Sequence, residues 1–190
     1  MHDIMLRLQA ALARQPVDLV RYLNPPATPE QIAAAEAAMG VRLPEDVCRA
    51  YLMHDGQDPE GVGLVEICEW LSLERMVQEW TVWNELLVNG SFNDIRSAGD
   101  DHAVRSDWWN PKWIPFTYDG SGNHYCIDLD PAEQGQSGQI ITMWHDSAER
   151  DCVAANFASF MTEVAERLES GDVVWSNEDE SLVERIERGT

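Results

Sequence analysis

Apolar side chains recur every three or four residues in several segments of the chain, which is the spacing of one buried helix face. The pattern is weak in the first segment, where many of the residues are alanines. The predicted helices cover residues 3–14, 29–39, 44–54, 73–88 and 157–169. One face of each helix is therefore expected to be buried.

Capping residues mark the ends of these helices. Thr28 and Gln31 form a capping box at the start of the second helix, and Gly40 follows its last turn. Ser72 is placed to cap the fourth helix, and Gly171 ends the last one. The helix boundaries are therefore predicted from local chemistry as well as from periodicity.

The centre of the chain carries the alternating pattern of strands. In the segment WIPFTYDGSGNHYCIDLDP, residues 113–131, polar and apolar side chains alternate with the two-residue period of a half-buried strand. A second run, QIITMWHD, completes an antiparallel meander over residues 113–145, and one or two further strands are predicted within 62–71. The predicted fold class is α+β, an antiparallel sheet flanked by helices.

Tryptophan is placed both within and beside these elements. Trp80 and Trp83 share the apolar stripe of the fourth helix, which predicts core packing more than ligand stacking. Trp113 begins the first meander strand and is predicted to anchor the core. Trp108 and Trp109 follow a polar, turn-rich segment, and the pattern leaves open whether they are buried, bind a partner or stack on a sugar.

Charge changes the picture more than any other bulk property. The 190 residues include 34 acids and only 13 lysines and arginines, so the formal net charge is −21. Such a charge repels phosphate backbones and anionic lipid, which argues against nucleic acid or a membrane as partner. It favours a basic protein, because complementary charge accelerates association.

Length and cysteine use set further limits. A chain of 190 residues can bury one sizeable core, and its four cysteines show no CxxC spacing. Reduced thiols, no signal peptide and no membrane span are therefore expected, which predicts a cytoplasmic protein.

The meander strand carries residue types that are common in catalytic and metal sites. His124, Cys126 and Asp128 lie two residues apart on one strand face, and His145 follows on a nearby strand. Three ligands along one flat strand are a poor zinc geometry, so solvent-facing or loop-pinning roles are favoured. Cys126 has no following helix N-terminus to lower its pKa.

The glycine-rich turn between the strands gives no catalytic motif either. Ser121 lacks the strand–turn–helix context of a nucleophile elbow, and Asp119 with its glycines is typical of turn chemistry. No catalytic residue, metal or cofactor is therefore predicted. A small hydrolase or metal protein that uses His124, Cys126, Asp128 and His145 stays open as an alternative.

Three segments resemble the SUKH superfamily, which includes fungal cell-wall-assembly regulators and bacterial immunity proteins. They are the early PPATPEQIAAAEAAMGVRLPEDVCRAYLMHDGQ, the central WNPKWIPFTYDGSGNHYCIDLDP, and GQIITMWHD with SFMTEVAERLESGDVVW. The resemblance implies a SUKH-like α+β domain over residues 24–175. An N-terminal helix, residues 1–23, and an acidic tail, residues 176–190, complete the predicted organisation.

The resemblance implies a non-catalytic protein-binding module. The first interpretation is an immunity protein that neutralises a cognate toxin, such as a nuclease, by covering its basic cleft. The alternative is a regulatory scaffold in cell-wall or polysaccharide synthesis. The predicted partner contacts all lie on loops: Asp55, Asp58, Asp100, Asp101, Asp107 and Trp109.

Overall fold

An antiparallel sheet lies at the centre of the fold, where the alternating segment predicts it. The structure is a computed structural model that describes residues 1–97 and 102–185. The strands of its four-stranded sheet are β2 (Trp113–Pro115), β4 (His124–Asp128), β5 (Gln139–Met143) and β6 (Cys152–Ala154). They lie side by side in that order. In the register, Ile114 lies opposite Ile127, and Ile127 lies opposite Ile140.

Helices surround this sheet, so the α+β prediction is confirmed. The helices are α1 (His2–Ala13), α2 (Pro29–Met39), α3 (Glu45–Tyr51), α4 (Leu73–Val88) and α5 (Phe157–Ser170), with a short 3-10 turn at Val20–Tyr22. The capping box at the start of α2 is present: the Gln31 backbone N–H donates to Thr28 Oγ1 at 3.2 Å, and the Thr28 N–H donates to Gln31 Oε1 at 2.7 Å. Gly40 and Gly171 end their helices as predicted.

The strand prediction for residues 62–71 is too long. Only β1 (Glu69–Trp70) forms there, and it pairs with β3 (Thr117–Tyr118). The chain turns tightly just before β1, where a Cβ on Gly63 would lie 2.3 Å from the carbonyl oxygen of Ile67. That close approach excludes a side chain, so glycine and turn geometry replace the extended chain.

Both faces of the sheet are buried, although the alternation predicts one wet face. Ile114, Ile127 and Ile140 on one face join the main core with the helices. The opposite face joins a second cluster, which consists of Trp83, Val104, Trp109, Trp113, Cys126, Ile141 and Met143. Solvent-facing roles for His124, Cys126 and Asp128 are therefore wrong, because all three are fully buried.

The two terminal segments also contribute to the main core. Met5, Leu8 and Leu12 of α1 are fully buried there, and α1 packs against α5. After α5, a hairpin of β7 (Val173–Ser176) and β8 (Ser181–Glu184) places Leu182 in the same core. Among the described residues, no helix is long and apolar enough to cross a bilayer.

Candidate protein-binding groove

Trp109, predicted as a partner contact, lies in the interior. The residue is 2% exposed and packs between Trp83 and Trp113. The rings of Trp109 and Trp83 are stacked, with their centroids 5.5 Å apart. Its prediction as an exposed contact is corrected, because the second face of the sheet needs a large apolar cover. The predicted contacts Asp100 and Asp101 lie outside the described residues.

The other three predicted acids each accept a hydrogen bond within the chain. Asp55 is half-buried, and its Oδ1 accepts from the Leu73 backbone N–H at 2.8 Å, at the start of α4. Burial raises the pKa of the Asp55 carboxyl. Asp58 accepts from the Glu60 N–H at 3.0 Å, and Asp107 accepts from the Asn110 side chain at 3.2 Å. These three carboxylates therefore stabilise local structure within the chain, independently of any contact with a partner.

The structure does not gather these acids on one surface. Asp55 lines a groove between α2 and α4, together with Ala34, Ala38 and Val77. Asp107 lines a different, polar depression beside residues 132–134. Their use as one continuous partner surface stays a prediction.

His124 connects α4 to the sheet and is not placed to act as a base. Its Nδ1 lies 2.6 Å from the Thr117 carbonyl oxygen, and its Nε2 accepts from the Trp83 indole N–H at 3.2 Å. Nδ1 therefore carries the proton of a neutral ring. Burial lowers the pKa of His124 to about 4.

Cys126, Asp128 and His145 likewise have separate partners and surroundings. Burial raises the pKa of the Cys126 thiol, which disfavours the reactive thiolate. Asp128 accepts from the Gln139 side chain and the Asp130 backbone, both at 2.9 Å, and so pins the loop after β4. His145 bonds to Asn123. In residues 1–97 and 102–185, no three His, Cys, Asp or Glu side chains are grouped as a metal site.

One groove on the surface combines apolar walls with an acidic end, and we call it the aromatic groove. One wall is a face of α4 formed by Glu79, Val82, Trp83 and Leu86. These positions recur at helical spacing, and Ser72 fixes the start of the helix by accepting from the Arg75 N–H at 3.3 Å. Val82 is 53% exposed and Leu86 is 38% exposed, so the wall presents aliphatic surface to solvent.

The facing wall consists of Tyr118 at the end of β3, residues 120–122 of the turn between β3 and β4, and His145, which follows β5. Asp119 organises this turn by accepting four hydrogen bonds, from the backbone and side chains of Ser121 and Asn123, at 2.6 to 3.0 Å. Partial burial raises the pKa of Asp119, but these bonds outweigh it and the net shift is downward. The predicted turn chemistry is confirmed, and Ser121 is a turn donor.

Trp108 and Phe92 line the rest of the groove, which encloses about 480 Å³. Trp108 is held by Arg150, whose guanidinium lies 5.1 Å from the ring centroid and donates to the Trp108 carbonyl at 3.0 Å. Arg150 is fully buried and also donates to the carbonyls of Ser147 and Glu149, each at 2.7 Å. The wall is therefore held in place from behind.

The acidic end of the groove is built around Glu79. Its Oε1 lies 3.0 Å from Arg75, which also pairs with Glu69 at 3.3 Å. Partial burial raises the pKa of Glu79, and Arg75 only partly offsets this. Glu79 Oε2 lies 3.9 Å from His124 Nε2, a nitrogen that already accepts from Trp83. The carboxylates of Glu69 and Glu79 and the guanidinium of Arg75 together leave one net negative charge at this end.

The sequence shows extra apolar residues on α4, but their periodicity alone does not distinguish a groove wall from a packed face. Val82 and Leu86 fall beside the stripe of Met76, Trp80 and Trp83 that predicts the core face of α4. They widen the apolar arc of the helix beyond what a single packed face needs. Only the position of the 119–123 turn shows that this extra arc is a groove wall.

Comparison with known proteins gives the chain a family. The model of the SMI1 / KNR4 family (SUKH-1) matches residues 26–163. A regulator of cell wall biosynthesis and the cell cycle, smi1 of Schizosaccharomyces pombe, is 32% identical over 171 residues, covering 82% of this chain and 34% of that protein. The glucan synthesis regulatory protein of Neurospora crassa is 29% identical, covering 81% of this chain and 36% of its own length.

The cell wall assembly regulator SMI1 of Saccharomyces cerevisiae is 27% identical, with 82% of this chain and 38% of that protein covered. The chain therefore spans about a third of the length of the curated relatives it matches. These relatives are named as regulators and not as enzymes. The predicted SUKH resemblance is confirmed, and this chain belongs to the SMI1 / KNR4 family (SUKH-1).

Proposed function

We propose that this chain is a non-catalytic regulatory module that acts by binding another protein, in the synthesis or assembly of a cell wall. Support comes from three relatives that are named as regulators of cell wall biosynthesis, glucan synthesis or cell wall assembly. Their names favour the scaffold alternative over the immunity interpretation. A toxin as partner stays a prediction, supported by the net charge of −21.

The observation that carries the proposal is the aromatic groove. A groove with exposed Val82 and Leu86, closed below by aromatic rings, is an apolar surface of the kind that proteins use to bind partners. Three of the four residues that would support an enzyme are buried and have structural roles: His124 is a neutral connector, Cys126 is a core thiol, and Asp128 pins a loop. The fourth, His145, is exposed and bonds to Asn123. Binding therefore explains the surface better than turnover does.

A chimera tests whether the module carries the regulatory role. The region of S. pombe smi1 that matches this chain is replaced by residues 1–190, and the chimera is expressed in cells that lack smi1. Incorporation of labelled glucose into wall glucan is then compared with cells that carry wild-type smi1. The proposal predicts that incorporation moves back toward the wild-type level.

A chimera with an unrelated domain of similar size in the same place is the control, and it should not restore incorporation. Equal expression of both chimeras is checked by immunoblot. If the chimera with residues 1–190 is expressed and behaves like the unrelated domain, a wall regulatory role for this module is contradicted.

A further inference from the structure

We infer that the aromatic groove binds an extended peptide segment of the partner that carries a Lys or Arg two or three residues away from an aliphatic or aromatic side chain. This inference deepens the proposed function and rests on it, since it names the chemistry of the bound segment. The main core forms without such a bound segment.

The cation is inferred from the acidic end of the groove. Arg75 serves both Glu69 and Glu79, so it cannot neutralise both carboxylates. Glu79 Oε2 faces a nitrogen of His124 that is an acceptor, so His124 does not donate to this oxygen. An ammonium or guanidinium group entering along the groove would donate to Glu79 and balance the charge.

Arg75 is already paired with Glu69 and Glu79, and the other two guanidinium groups beside the groove lie at Phe92 and Trp108. Arg96 lies at the Phe92 end, where it donates to the backbone carbonyls of Phe92 and Ile95. Arg150 lies behind Trp108 and is fully buried. A basic residue of the partner is therefore favoured at the Glu79 end and disfavoured at the Phe92 end.

The apolar residue is inferred from Val82 and Leu86, which follow Glu79 along the same face of α4. From Glu79 to Leu86 the helix rises about 10 Å, at about 1.5 Å per residue. An extended peptide rises about 3.3 Å per residue, so two or three residues reach from the carboxylate to the aliphatic wall. This spacing defines the segment that fits.

A second copy of this chain is a poorer occupant than a basic segment. Two copies would each bring a net charge of −21 to the interface, and like charges oppose association. The same charge attracts a basic segment from a distance and fits the residual charge at Glu79. The groove is therefore expected to stay open in a solution of this chain alone.

Selection from random 12-residue peptides displayed on phage, with the whole immobilised chain as bait, tests the inference. Enriched peptides should contain Lys or Arg with Leu, Ile, Phe or Trp two or three residues away. A synthetic enriched peptide is then titrated calorimetrically into wild-type protein and into variants. Both Glu79→Gln and Leu86→Glu should weaken binding about tenfold or more.

Leu6→Glu is the matched control, because Leu6 is 47% exposed on α1 and does not line the groove. It should change the dissociation constant less than about twofold. Added salt should weaken wild-type binding more than binding to Glu79→Gln, since one charge pair is lost in the variant. Urea unfolding of each variant separates loss of binding from loss of fold.

Three results would overturn the inference. One is enrichment of no peptides, or of peptides without a basic residue. Another is equal binding by wild type, Glu79→Gln and Leu86→Glu. The third is a dimer in sedimentation velocity that Leu86→Glu dissociates, which would assign the groove to a second copy. The chimera still restores glucan incorporation in each case if only the inferred peptide chemistry is wrong.

Discussion

The two faces of the central sheet are both buried, but they are covered in different ways. On one face, Ile114 and Ile127 pack into a large core formed with the helices. On the other face, a thinner layer of tryptophans covers a strand that also carries buried His124 and Asp128. The first face holds the fold together, whereas the second positions Trp83 and its neighbours at the aromatic groove.

A fold of this size can hold a binding surface where one of its buried clusters borders solvent. Many side chains of the main core, among them Leu8, Ile114 and Phe116, are fully buried, so a change there affects stability first. The second cluster borders solvent at Trp83, Phe92 and Trp108, so its rings contribute to stability and to the groove together. Substitutions in the two regions should therefore have separable effects.

The largest effect is expected in the main core. Phe116 is fully buried between Phe157 and Phe160, with ring centroids 5.1 and 5.3 Å away. Phe116→Ala removes these contacts and leaves a cavity, which should cost about 4 kcal/mol of the free energy of unfolding. Urea unfolding followed by tryptophan fluorescence measures this loss, with Leu6→Ala as the exposed control. A loss below about 1 kcal/mol would place Phe116 outside the essential core.

The second prediction concerns His124, which should make stability depend on pH. Burial lowers its pKa in the folded state to about 4, from an ordinary value of 6.5. Below pH 6.5 the unfolded chain binds a proton that folded His124 does not, so stability falls as pH drops through this window. The full contribution is about 3 kcal/mol.

Comparing wild type with His124→Gln isolates this effect from the acids that titrate in the same range. The variant should lose less stability between pH 6.5 and 4 than wild type does. Exposed His145→Gln is the control and should follow the wild-type curve. Parallel curves for wild type and His124→Gln would show that the His124 ring is accessible to protons in the folded chain.

A smaller effect is expected at the turn that forms the facing wall of the groove. Asp119→Ala removes the acceptor of four hydrogen bonds within residues 119–123. Because the turn is exposed, the expected loss of stability is about 1 kcal/mol. Affinity for the selected peptide should fall as well, since the wall loses its fixed shape. Unchanged affinity would show that α4 alone forms the binding surface.

Local chemistry made the helices and the turn predictable from the sequence. The capping box of Thr28 and Gln31, the cap at Ser72 and the Asp119 turn depend on residues within a few positions of each other. Such short-range bonds form largely independently of the rest of the fold. The predicted elements therefore agree with the structure at these positions.

The buried second face and the groove could not be predicted in the same way. The alternation of His124, Cys126 and Asp128 looks identical whether a strand faces water or a tryptophan layer. Burial of this face depends on Trp83 and Trp109, which approach the strand from distant parts of the chain. Val82 and Leu86 become a groove wall only because a separate turn packs opposite them.

The chimera tests whether the aromatic groove is the surface by which this module regulates. Glucan incorporation is measured with the unchanged module, with Leu86→Glu and with Leu6→Glu, at equal expression. Leu86→Glu should abolish restoration, whereas Leu6→Glu should retain it. Equal restoration by both variants would contradict the claim.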